Sequence, residues 1–153
     1  MTILLIHFMA TCFMTGVIWI VQVVHYPLFA KVGAEGYGEY QKAHMKRITW
    51  VVLPAMGIEL ISGLALFFPQ MQDSLHWVNL GGTLTLNTRL LWFNLLGLLL
   101  IWASTGLLQV PQHTKLLNGF EKPAYHKLVR WNWIRTILWS MRVYLLFYLV
   151  MSA

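Results

Sequence analysis

The chain has 153 residues, of which 58% are hydrophobic and only 10% charged. Soluble domains carry about 25% charged residues, so this surplus of apolar surface needs lipid to face, and a water-soluble globule is excluded. The net charge of +6 is gathered at the ends of apolar runs; without a basic stripe it points to anionic lipid head groups and away from nucleic acid.

Four apolar spans follow in order: Ile3–Val24, Trp50–Phe68, Leu90–Val110 and Ile134–Val150. A bilayer-crossing helix needs about 20 residues, with a range of roughly 17–25. The spans are continuous, without the alternation of a barrel strand. The first has no basic residues ahead of it and no small-residue cleavage site behind it, so it is predicted to be a retained membrane helix. Cys12, the single cysteine, lies inside it and excludes an intrachain disulfide. Gly33–Tyr40 reads as a turn and an amphipathic lead-in to the second helix. Pro69–Thr88, with Asp73, Gly81 and Gly82, reads as a loop on the opposite face. Pro111–Asn132 resembles the first connection. No linker interrupts the chain, and residues 1–153 are predicted to form one domain.

Lys31, Lys42, Lys46 and Arg47 lie on the first connection; Lys115, Lys122, Lys127 and Arg130 lie on the third, with Arg135 just inside the fourth span. The positive-inside rule then puts both connections in the cytoplasm and both termini outside a cell inner membrane. The halves also match in spacing. Pro27 and Pro111 each follow an odd-numbered span, with Lys31 and Lys115 four residues later. His44 and His126 precede the even spans, which Trp50 and Trp133 open. The expectation is an all-α, up-down-up-down four-helix membrane bundle built from a duplicated two-helix hairpin.

Glu59 lies nine residues past Trp50, and Arg142 nine past Trp133. At 1.5 Å per residue both sit about 13 Å below their tryptophans. An ionised group at that depth costs roughly 2.5–3.5 kcal/mol and usually pairs inside the bundle. The pair reads either as a lock on helix register or as a proton or ligand site. His25, His44, His113 and His126 fall near the cytoplasmic ends of the spans. Thr105, Gln109 and His113 recur every four residues on one helix face, and Gln22 and Tyr26 add polar groups from the first helix. They read as the lining of an inner vestibule or as ordinary interfacial residues. His7 and His76 look isolated on the outer side. No histidine pair has a metal-site spacing, and the nucleotide and acyl-transfer motifs are absent.

The run W-I-V-Q-V-V-H-Y-P-L-F, with M-K-R-I-T-W-V-V-L-P-A-M-G-I-E-L-I-S-G-L, resembles the first two helices of HemJ-type protoporphyrinogen oxidases. Pro54-Ala55-Met56 followed by Ser62-Gly63-Leu64 is the nearest part; Thr88–Leu91 and Arg130–Leu138 are weaker echoes. The small membrane proteins grouped with anthrone oxygenase look similar too. The resemblance implies a four-helix membrane fold, bound haem and six-electron oxidation of protoporphyrinogen. It departs at two points. Cys12 holds the place of the family's helix-one haem ligand, with His7 five residues away, and Arg89 holds the place of the family's lysine at the start of helix three.

The resulting expectation is a haem- or porphyrin-binding redox protein. His25 and His113 are the first candidates to ligate iron, with His44 and His126 as alternatives. Arg47, Arg130 and Arg135 are candidates to hold propionates, because a guanidinium pairs with carboxylate in a fork. Two other classes stay open: a non-enzymatic subunit or scaffold of a larger complex, and a small transporter. The partners expected are the lipid bilayer, and other membrane subunits or further copies of the chain.

Overall fold

The structure, a computed structural model, describes residues 1–79 and 86–152, with side chains for 1–69 and 86–152. Its described residues form helices and no strand. Helix α1 is Thr2–Phe29, α2 is Tyr37–Asn79, α3 is Leu86–Leu116 and α4 is Lys122–Met151. All four are long and apolar enough to cross a membrane, and no more than a third of each span is buried. Trp50, Ile61, Leu107 and Tyr144 stand more than 70% exposed. Polar side chains such as His7, Glu59, Asn94 and Arg142 are almost fully buried. Apolar groups outside and polar groups inside are the arrangement of a multi-pass integral membrane protein in contact with lipid.

The expected loop from Pro69 to Thr88 is corrected. Helix α2 runs on through Pro69 to Asn79, so Asp73 and His76 lie on helical backbone. Gly81 and Gly82 fall outside the described residues. A proline usually ends a helix because the residue before it is pushed towards extended backbone. Both Pro54 and Pro69 are carried within α2, as proline is in membrane helices whose freed carbonyls find other partners.

In α1 and α3 proline leaves a different mark. A π-helical turn spans Val21–His25 just ahead of Pro27, and another spans Thr105–Gln109 just ahead of Pro111. Proline lacks an N–H and crowds the carbonyl four residues back. Those carbonyls belong to Val23 and Leu107, inside the two widened turns, which relieve the clash. Each connection also holds a glycine with positive φ, Gly36 at 82° and Gly119 at 132°, where a side chain would be strained. The aromatic residues that follow, Tyr37 and Phe120, meet edge to face with ring centroids 5.2 Å apart. Both hairpins thus carry a widened turn ahead of the proline and a positive-φ glycine in the connection.

Helix α1 packs on α2 and α4, and α3 packs on both of these as well. His7 meets Ser62 while His25 meets His44, so α1 and α2 run in opposite senses. The main apolar core centres on Trp139, Met14, Ile18, Met56 and Ile101, and a smaller one on Leu4, Leu146 and Leu149.

Close approach of α1 and α2 depends on Gly63. A Cβ there would lie 2.9 Å from both His7 Cε1 and Leu98 Cδ2. The His7 ring is held at both nitrogens and cannot step aside. Gly63→Ala is therefore expected to cost about 1–3 kcal/mol, the range for overpacking. Gly57→Ala, where a Cβ meets nothing within 4 Å, is expected to gain up to about 1 kcal/mol from helix propensity. Thermal unfolding of the two variants in detergent checks the contrast.

Candidate functional site

Two buried polar networks occupy the bundle, one on each side of Trp139. In the first, Arg142 Nη1 pairs with Glu59 Oε1 at 2.6 Å, both side chains nearly unexposed. Thr11 Oγ1 donates to the same oxygen at 2.8 Å, and the Trp139 indole N–H lies 3.2 and 3.1 Å from the two carboxylate oxygens. Arg142 Nε donates to Asn94 Oδ1 at 3.0 Å. His7 completes the set: Nδ1 meets Ser62 Oγ at 2.9 Å, and Nε2 lies 3.0 Å from Asn94 Nδ2 and 3.2 Å from Arg142 Nη2. His7 is not isolated; it is fully buried and joined to three helices. The network closes on itself, with donors and acceptors matched, as a buried charge pair requires.

The second network lies towards the ends of α1 and α3 that carry Pro27 and Pro111. Asn132 Nδ2 donates to Gln22 Oε1 at 2.7 Å. Arg135 donates from Nε to Asn132 Oδ1 at 3.1 Å, with Nη2 also on that oxygen, and from Nη1 to Thr105 Oγ1 at 3.3 Å. Tyr26 Oη lies 3.5 Å from Arg135 Nη2 and 3.0 Å from His113 Nε2. Gln41 Nε2 meets His113 Nδ1 at 2.9 Å. His25 Nε2 and His44 Nδ1 are 2.8 Å apart. Arg135 is buried at 6% exposure and meets no carboxylate among the described residues; the ion pair found among them is Glu59 with Arg142.

A cavity of about 230 Å³ joins this network to the apolar core. Tyr26, His44, Thr105, Gln109, His113 and Arg135 line its polar end. Met14, Met56, Val52 and Trp139 line its apolar end. Gln109 and Trp102 belong to the lining, and both amide atoms of Gln109 and the Trp102 indole nitrogen are buried without a partner among the described residues.

The expected site residues thus divide. Glu59 and Arg142 form the first network. His25, His44, His113 and Arg135 come together in the second, and Thr105, Gln109 and His113 share one cavity wall. Arg47, Arg130 and His126 are exposed and stand outside the cavity, so of the three guanidinium groups only that of Arg135 belongs to its lining. His25 and His113 do not offer the same ring atoms. Both nitrogens of His113 are engaged, and His25 Nε2 is taken by His44. His44 has Nδ1 held and Nε2 without a partner among the described residues, which is how a histidine ligand is usually braced. Among the described residues, no three of His, Cys, Asp or Glu gather as a metal site. Gln41 and Asn132 join the second network although nothing in their spacing singles them out. His7, Thr11 and Met14, at helical spacing, are the one signal for the buried face of α1. No protein family, no curated protein and no solved structure matches the chain.

Proposed function

We propose that the chain is a multi-pass inner-membrane protein, an up-down-up-down bundle, whose cavity binds a small membrane-soluble molecule. The observation that carries this is the set of unmatched polar groups on one apolar cavity. An unsatisfied buried polar group costs about 1–3 kcal/mol, and among the described residues Gln109 and Trp102 carry such groups on a lining shared with Arg135, which meets no carboxylate. A scaffold has no use for such a lining, whereas ligand sites are mostly apolar with a few convergent polar groups. Organic extraction of protein purified in mild detergent tests the reading. The expected extract holds one small molecule in near-equal amount to the chain, depleted in Gln109→Leu. An extract containing only the lipids of the surrounding membrane, in wild type and variant alike, would sink it.

A second reading, iron porphyrin with redox function, is favoured by His44 alone. His44 would bind the iron through Nε2, Arg135 would hold a propionate, and the iron would supply one-electron transfer. This cavity is smaller than the roughly 300–1,000 Å³ of drug-sized ligand pockets, so a whole tetrapyrrole needs the α2–α3 side opened. A Soret band in the purified protein, lost in His44→Ala but kept in His126→Ala, is the expected result on this reading. Loss in His7→Ala alone would contradict it, since His7 Nε2 already faces Asn94 and Arg142.

Orientation comes from charge. Nine of the eleven Lys and Arg residues lie on or beside the first and third connections, which are read as cytoplasmic. An enzyme reporter active only outside the inner membrane is expected to work when fused after Ala153 and to fail near Gly119. The opposite pattern means the reverse orientation.

A further inference from the structure

If the cavity binds a membrane-soluble molecule, as proposed for it, then its shape, charge and opening together select the class of that molecule. Along α2 the lining runs from His44 to Met56, about 18 Å at 1.5 Å per residue. A volume of about 230 Å³ spread over that length is a narrow slot. Such a slot suits a slender chain better than a flat macrocycle. Met14, Met45 and Met56 line it, and methionine adapts to a flexible guest.

The polar end fixes the head group. Arg135 carries a full positive charge with no carboxylate among the described residues. Its bonds to Asn132, Thr105 and Tyr26 are to neutral oxygens. Gln109, whose amide atoms have no partner among the described residues, belongs to the same lining. A buried cation needs an anion nearby, and a guanidinium pairs with carboxylate through two parallel bonds.

The opening fixes the route. Thr49, Leu53 and Val110 line the cavity and are also exposed. They place its mouth between α2 and α3, on a surface that faces hydrocarbon in a membrane. A guest therefore arrives sideways from the bilayer.

We propose that the α2–α3 cavity binds a long-chain monocarboxylate, its carboxylate on Arg135 and Gln109 and its chain running towards Met56. Binding of tritiated palmitate to the full chain in neutral-lipid nanodiscs tests this, with hexadecanol and haem as competitors. One palmitate per chain is expected, displaced by oleate and not by hexadecanol. Arg135→Gln is expected to weaken it at least tenfold. Because Arg135 also braces its neighbours, Thr49→Trp serves as a second variant: it fills the exposed mouth and is expected to abolish binding with the melting temperature unchanged. Displacement by hexadecanol as good as by oleate, or full binding in Thr49→Trp, overturns the proposal. Displacement by haem and not by oleate overturns it in favour of the tetrapyrrole. A neutral molecule in the organic extract would leave the ligand-binding reading standing and remove only the carboxylate.

Discussion

Arg142→Leu is expected to destabilise the protein by about 3–5 kcal/mol, the cost of stripping one partner from a buried ion pair. Glu59 would then keep only the Thr11 hydroxyl and the Trp139 indole as donors. That is too little for a carboxylate away from water. Glu59→Leu is expected to cost as much, because Arg142 would be left against Asn94 and His7. The double variant is expected to fall well short of the sum of the two, since it removes both charges and leaves neutral groups behind. Unfolding of all four proteins in mixed detergent gives the coupling energy directly. Losses in the double variant equal to the two single losses added together would mean that the charges do not stabilise each other.

The second large effect is at Trp139, which is fully buried. Its N–H reaches Glu59, and its ring lines the cavity and forms part of the main apolar core. Trp139→Ala is expected to cost about 3–5 kcal/mol, as buried tryptophans do when truncated. Trp139→Phe keeps most of the packing and loses the bond to a charged acceptor, worth about 1.5–3 kcal/mol. Only the alanine variant also enlarges the cavity into the space beside the ion pair, so it is expected to lose ligand as well as stability. If the phenylalanine variant unfolds as readily as the alanine one, the hydrogen bond rather than the ring is what Trp139 contributes. Equal stability of the phenylalanine variant and wild type would mean that the indole N–H contributes nothing.

What is legible in the sequence is whatever repeats with a period or depends on depth. The four spans show as apolar runs of bilayer length. The depth of Glu59 and Arg142 comes from their equal distance past Trp50 and Trp133. The rest depends on rotamers and on residues that look unremarkable in a row. His7 sits among Leu5, Ile6 and Phe8 and reads as alone. Its partners, Ser62 and Asn94, are short side chains common in membrane helix packing. Four histidines near one end can be counted, but which ring nitrogen is free is settled by Tyr26, Gln41 and His25. Arg47 and Arg130 look equivalent to Arg135 by charge, yet Arg130 lies about 140° round the helix from Arg135, and it and Arg47 are exposed where Arg135 is buried. The end of α2 is hidden for a local reason: Phe68-Pro69 has the pattern of a helix stop, and α2 carries Pro69 as it carries Pro54.

The central claim is that the cavity beside Arg135 holds a guest. Native mass spectrometry of the intact chain, released gently from detergent with nothing added, tests it most directly. The predicted spectrum shows the 17.7 kDa chain carrying one additional small molecule, and the Gln109→Leu protein largely bare. A spectrum of bare chain for wild type, under conditions that retain a ligand added deliberately, would contradict the account.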